Sequence, residues 1–219
     1  MYVKLYFANV SCLKNAELYG KFYRELPPER QAAADRLRFD KDRRLSVGAF
    51  ALLKYAVKNE GGVPKISFGD HGKTYFEGRD DLFFNLSHSG DIALCSLSDS
   101  RIGCDVEKIR KPPLSVAKRF FSPAERDYVM SAKREEERAE RFFCVWTLKE
   151  SFLKATGSGF SVPSSSFSVV GGKVLGAGDD AWSAEPVQLV EGYASAYCVK
   201  GSAHAVPLIE EADLEELDF

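Results

Sequence analysis

Hydrophobic positions recur along this chain with two periods, and the changes from one to the other mark its elements. Residues 2–10 read as a strand, and helices are predicted over 28–38 and 41–59. The second helix keeps an apolar stripe through Leu45, Ala49, Leu52, Leu53 and Ala56 and stops at Gly61-Gly62. Strands follow at 64–68 and 73–77, then a hairpin over 83–98 that turns through Ser89-Gly90-Asp91. In the strand predicted at 101–107, Ile102, Cys104 and Val106 alternate with Gly103, Asp105 and Glu107. Alternation puts Asp105 and Glu107 on one face, with Gly103 expected to leave room beside them for a ligand. Beyond Pro112-Pro113, the run Ser122-Pro123-Ala124-Glu125 starts a helix, with Ser as N-cap, Pro at N1 and Glu at N3. The charged stretch 133–141 suits an exposed connection or helix face, and a helix over 138–156 ends before Gly157-Ser158-Gly159. Strand pairs at 166–176 and 183–200 precede a short acidic tail, and Ile92–Cys95 is faintly echoed by Ala194–Cys198.

Chemistry concentrates in two of these segments. On the 138–156 helix, Trp146, Glu150 and Lys154 recur every four residues and share a stripe, while Leu148 and Phe152 take a neighbouring face. A Glu–Lys pair at this spacing is ordinarily a surface ion pair worth ~0.3–0.5 kcal/mol. Trp146, one turn earlier, argues for partial burial instead. Together with Asp105 and Glu107, Glu150 gives three carboxylates, balanced by Lys149 and Lys154. Oxygen ligands on rigid elements suit a hard divalent cation that keeps other positions for water and phosphate. At these spacings the three carboxylates and two lysines can assemble a magnesium and polyphosphate site.

Composition narrows the reading without deciding it. The 219 residues fit one large domain or two small ones, and 45% hydrophobic residues can build a sizeable core. A net charge of −2 gives no overall basic field for nucleic acid. Cys12, Cys95, Cys104, Cys144 and Cys198 are scattered and form no C-x-x-C pair, which predicts reduced thiols. No apolar run is long enough to span a membrane, and the N-terminus reads as a strand rather than a signal peptide, so a cytoplasmic location is expected.

Three motifs in order, Phe84-Asn85-Leu86-Ser87-His88-Ser89, Gly103-x-Asp105-Val106-Glu107 and Trp146-x-x-Lys149-Glu150-x-x-x-Lys154, resemble the 4'-phosphopantetheinyl transferases. The resemblance runs from Pro28 to Cys198 and is closest to the two-half monomeric type that activates surfactin synthetase. It implies an α+β fold of two pseudo-symmetric halves, 1–102 and 103–219, each a small, mainly antiparallel sheet on a long helix, with the site in the cleft between them. The implied reaction carries phosphopantetheine from coenzyme A to a carrier-protein serine and releases adenosine 3',5'-bisphosphate. Asp105, Glu107 and Glu150 would hold Mg2+. Glu150, Lys154 and His88 would be catalytic, with Glu150, His88 or a water as the base. Arg44, Lys73, Ser87, His88, Lys149 and Lys154 would grip coenzyme A. Two departures stand out: Thr74 where the family often has proline, and Arg30 and Ala33 in place of an early lysine pair. Arg30 can partly substitute; Ala33 cannot, which implies a phosphate grip that is either weaker or redistributed to Arg36 or Arg38. The segment Lys108 to Phe121 carries Lys108, Arg110, Lys111, Lys118 and Arg119 with no acid, interleaved with Leu114 and Val116. That pattern suits docking of an acidic carrier protein. Two rival activities share parts of the pattern: a Mg-dependent hydrolase of coenzyme A or another nucleotide pyrophosphate, and a non-catalytic carrier-binding module.

Overall fold

A strand, a long helix and a returning hairpin occur in this chain, and then occur again in the same order. The computed structural model describes residues 2–69, 73–159, 162–169, 174–176, 181–201 and 206–217. Strand β1 (Val3–Asn9) leads through a 3-10 turn at Val10–Lys14 into α1 (Ala16–Arg24), α2 (Pro28–Asp35) and α3 (Asp40–Ala56). A short hairpin of β2 (Ile66–Phe68) and β3 (Thr74–Phe76) precedes a longer one of β4 (Phe83–Ser89) and β5 (Ile92–Ser98). The second round comprises β6 (Ile102–Lys108), α4 (Leu114–Phe120), α5 (Pro123–Met130), α6 (Glu135–Thr156), β7 (Trp182–Val187) and β8 (Tyr193–Lys200), and β9 (Leu208–Glu211) closes the chain.

The sheets repeat the same plan. One is ordered β4-β5-β1-β9 and the other β7-β8-β6. In each, the last hairpin strand sits centrally, antiparallel both to its hairpin partner and to the strand that opened the half. The echo between Ile92–Cys95 and Ala194–Cys198 thus falls on equivalent central strands. Three apolar layers follow from the alternation of side chains. Tyr6, Ala8, Ala93 and Cys95 pack with α3; Ala184, Ala196 and Cys198 pack with α6. Between the sheets lie Val3, Leu5, Phe7, Ile92 and Leu94 of the first and Ile102, Cys104, Val106 and Tyr197 of the second. The architecture is the expected α+β arrangement of two similar halves.

Several boundaries differ from expectation, each for a visible reason. Asn15 caps α1 by accepting from the Glu17 and Leu18 amides, over a stretch to which the sequence reading assigned no element although Leu18, Phe22 and Leu26 recur every four residues. Part of the basic segment forms α4 after Pro113. Residues 133–141 take the helix-face alternative, because α6 starts at Glu135 rather than at 138. At 166–176 a single bridge joins Ser168 and Leu175, and residues 170–173 lie outside the described ones. The acidic tail contains β9, which pairs parallel with β1, and Ala212 and Leu214 are buried in the first half's core. A division at 102/103 therefore does not hold for the last described residues, because their apolar positions complete the first sheet and not the second.

Gly103 also does something other than expected. A Cβ there would stand 2.1 Å from the Ser151 carbonyl oxygen and 2.4 Å from the Ala155 nitrogen. The space beside Asp105 is filled by the backbone of α6, and that contact lets the helix lie close enough for its side chains to reach the strand.

Candidate functional site

Where α6 crosses β6, its outward stripe meets the carboxylates of the strand and the end of β4. Lys154 Nζ lies 2.6 Å from Asp105 Oδ1 and donates to Ser87 Oγ at 2.9 Å. Ser87 in turn donates to the same Asp105 oxygen at 2.8 Å, which closes a triangle of one cation, one hydroxyl and one carboxylate. Asp105 is buried, and its other oxygen, Oδ2, has no hydrogen-bond partner. A buried carboxylate oxygen left unpartnered is costly, and the cost points to a ligand that supplies positive charge. Ser89 Oγ donates to Glu107 Oε2 at 2.8 Å.

These groups share a cleft of about 830 Å3, lined by His88 and Lys73 from the first half and Glu150 and Lys154 from the second. Its size suits a nucleotide-sized ligand. The field inside it is legible in the ionisable groups. Burial raises the Glu150 carboxyl above its ordinary value, and Asp105 and Glu107 add to the shift. Glu107 is raised by burial and by Asp105. Burial opposes the charge of Lys154, but Asp105 and Glu150 outweigh it, and the ammonium ends above its usual value. His88, open to the cleft yet ringed by protein, is lowered by burial and by Lys154. Burial lowers Lys73 to about 8, while its ammonium donates to the carbonyls of Ile102 (3.3 Å) and Lys154. Trp146 borders the cleft, half-buried, stacked at 6.4 Å on Phe142 and edge-on to Phe120.

Two expected site residues are elsewhere. Lys149 is 1% exposed, with its ammonium 2.8 and 3.0 Å from the two Glu125 oxygens and 2.8 Å from the Phe167 carbonyl. With those partners it has no reach to a phosphate. Arg44 is not among the cleft-lining residues; α3 presents Asp42, Ser46 and Ala49 there. Two positions past Asp42 turns a side chain about 200° around a helix, and the Arg44 charge acts instead on Tyr19 of α1. Arg30 and Ala33 do line the cleft, and Arg30 keeps a buried Nε with no partner. Arg36 and Arg38 are exposed and outside it. Asn85 and Ser89 went unassigned by the sequence reading, although they share a face of β4 with Ser87 and that alternation was visible.

Among the described residues no group of three or more His, Cys, Asp or Glu side chains converges to hold an ion by itself. All five cysteines are free, and Cys95, Cys104 and Cys198 are buried. No described helix is long and apolar enough to cross a membrane.

Comparison with known proteins gives this geometry a context. The family model of the 4'-phosphopantetheinyl transferase superfamily matches residues 101–198. The 4'-phosphopantetheinyl transferase Sfp of Bacillus subtilis is 32% identical over 153 residues, 68% of this chain and 68% of its own length. The chain belongs to the 4'-phosphopantetheinyl transferase superfamily. Another 4'-phosphopantetheinyl transferase of Bacillus subtilis is 40% identical over 58% of this chain and 57% of its own. The enzyme psf-1 of Bacillus pumilus is 36% identical over 64% and 61%. The matches thus span between 57% and 68% of these relatives' lengths. A crystal structure of Thermotoga maritima holo-[acyl-carrier-protein] synthase aligns with 48% of this chain and 64% of its own at 19% identity, with a TM-score of 0.36, a likeness too slight to carry weight.

Proposed function

We propose that this protein transfers the 4'-phosphopantetheine group of coenzyme A to a serine of an apo carrier protein. The observation that carries the reading is the Asp105 carboxylate, buried, held on one oxygen by Lys154 and Ser87 and unpartnered on the other, in a cleft shared by both halves. Magnesium suits that donor set. It is usually held by one or two carboxylates with waters and substrate phosphates, so a closed protein cage is not required. Asp105, Glu107 and Glu150 would hold it; burial is the main cause that raises the Glu107 and Glu150 carboxyls, and the neighbouring Asp105 charge adds to both, which a divalent cation would offset. When bound, the ion would supply positive charge that offsets the charge gathering on the leaving phosphate.

The chain's own residues do the rest. Glu150, a cleft-lining carboxylate, would take the proton of the attacking hydroxyl directly or through a water. The serine oxygen bonds to the β-phosphorus as the bond to the bridging oxygen breaks, and that electron pair departs with adenosine 3',5'-bisphosphate. Lys154 holds a full positive charge beside the transferring phosphate, Ser87 keeps it there, and Lys73, His88 and Arg30 answer the remaining phosphates from the first half. Phosphoryl transfer asks the protein mainly for such positioning and charge. Exposed Lys118 and Arg119 on α4, beside Phe120 and Trp146 at the cleft edge, favour an acidic carrier docking there. The free, mostly buried thiols suit a reducing cytoplasm, and a cleft completed within one chain suits a monomer.

The deciding experiment incubates the protein with coenzyme A and Mg2+, with and without an apo carrier. Transfer is expected as a carrier mass increased by one phosphopantetheinyl group, with adenosine 3',5'-bisphosphate released only when carrier is present. Release without carrier would establish the hydrolase instead, and carrier binding with no release would establish a docking module.

A further inference from the structure

Strands β4 and β6 belong to different sheets, yet they run alongside each other joined by side chains. The Cys104 amide donates to Asn85 Oδ1 at 3.0 Å, that of Val106 to Ser87 Oγ at 3.3 Å and that of Lys108 to Ser89 Oγ at 3.2 Å. Every rung joins residues 19 apart in sequence, so the strands are parallel and in register. Two rungs do more than join strands. Ser87 accepts from the Val106 amide and donates to Asp105; Ser89 accepts from the Lys108 amide and donates to Glu107 at 2.8 Å. The same three-atom relay occurs twice, two residues apart, on each of the two strand carboxylates.

A serine hydroxyl has one proton. When its lone pair is engaged by a fixed backbone N–H, the direction of that proton is fixed as well, and so is the carboxylate oxygen that receives it. The other carboxylate oxygen is left to a ligand, as Asp105 Oδ2 shows. The hairpin does not need the Ser89 side chain for its turn, since Gly90 supplies the positive φ of 64° and Ser89 pairs in register with Ile92. We propose that Ser89 is a positioning residue, which holds the Glu107 carboxylate at the orientation that presents its free oxygen to a divalent cation. This rests on the proposed transferase reading and assigns Ser89 a task that the three family motifs do not. Groups behind metal ligands commonly set affinity in this way.

The test compares the full chain with Ser89→Ala and Ser89→Thr, and reads Mg2+ binding by calorimetry alongside thermal melting. Loss of the hydroxyl is expected to weaken Mg2+ about 10-fold, and threonine, which keeps the hydroxyl, should restore most of it. Coenzyme A affinity without Mg2+ should stay at the wild-type value. In a Glu107→Gln background, Ser89→Ala should weaken Mg2+ no further, because the group it aims is already altered. Should the alanine variant not fold, Ser89→Cys, similar in size but a weak donor, replaces it in the same comparison. An unchanged Mg2+ affinity with a lower melting temperature would overturn the proposal and leave Ser89 as a strand-joining residue. So would a loss that persists undiminished in the Glu107→Gln background. A wild-type chain that neither binds Mg2+ nor transfers phosphopantetheine would instead remove the transferase reading, and this inference with it.

Discussion

Five positions separate Lys149 from Lys154, which turns their side chains about 140° apart on the helix. One ammonium faces Glu125 in the core and the other faces Asp105 in the cleft. Sequence alone could not separate them, because the partner of Lys149 lies 24 residues away on α5 and Phe167 comes from a later turn. Asp105, Glu107, Glu150 and Lys154 were legible because strand alternation and the four-residue helical stripe already set their directions, whereas Ser87 and His88 were named through the motif resemblance. Lys149→Met should destabilise the fold by about 3–5 kcal/mol, the usual cost of leaving a buried charge uncompensated. Glu125, 0% exposed, would keep only its contacts with the Ser122 and Val169 amides. Urea denaturation should show the loss, and coenzyme A affinity of the folded variant should remain normal. An affinity loss like that of Lys154→Met would return Lys149 to the phosphate site. Asp105→Ala should lower transfer by about 10²-fold or more and also lower stability by about 1–3 kcal/mol, because Lys154 and Ser87 lose their shared acceptor. Steady-state kinetics and a thermal melt measure the two effects separately. Full activity in Asp105→Ala would remove it from the reaction.

At the scale of elements, α6 works only because β6 lets it approach. Its 22 residues carry Phe142, Val145, Phe152 and Leu153 into the second core while Glu150 and Lys154 reach the cleft. The position of Gly103 fixes the separation between helix and strand. Gly103→Ala would press a methyl group onto the backbone of Ser151 and Ala155, which has no side-chain freedom with which to yield. The expected result is a stability loss of about 1–3 kcal/mol, with activity reduced further as Lys154 moves off Asp105. Calorimetric melting and kinetics at saturating coenzyme A should show both; a variant with wild-type turnover would mean the helix tolerates the shift. The glycine was visible in the sequence, but whether its open space faced a ligand or a helix depended on which layer covered that face. The long elements α3 and α6 were read from the sequence, and β9 was not, because it is four residues within an acidic stretch. The short helix α1 also went unread, although Leu18 and Phe22 mark one face of it and Leu26 continues the spacing.

The whole molecule is two similar units packed across an apolar layer, with a polar cleft beside it, and Lys73 crosses from one unit to the other. It enters from the β2–β3 side and gives its ammonium to carbonyls of Ile102 and Lys154 in the second half, with Gly157 allowing its stem to pass. The two-half plan was anticipated from the family resemblance; this crossing was not, since it depends on how the halves meet. Burial is the main reason its value falls from 10.5 to about 8, with Arg101 adding to the fall and the Cys104 and Cys198 thiols opposing it. In the unfolded chain the lysine holds its proton up to the ordinary value, so between these limits the unfolded state binds more protons than the folded one. Stability of the free protein should therefore rise as pH increases from about 8 toward 10.5, with the full penalty for burying the charge present below that window. Ligand binding runs the other way. Anionic phosphates favour the charged lysine, so above about 8 the protein must take up a proton to bind coenzyme A, and affinity should fall as pH rises. Calorimetry at pH 9 in buffers of different ionisation enthalpy should detect that proton uptake, and Lys73→Met should abolish both the uptake and the rise in stability. Uptake that persists in Lys73→Met would assign the titration to another group in the cleft.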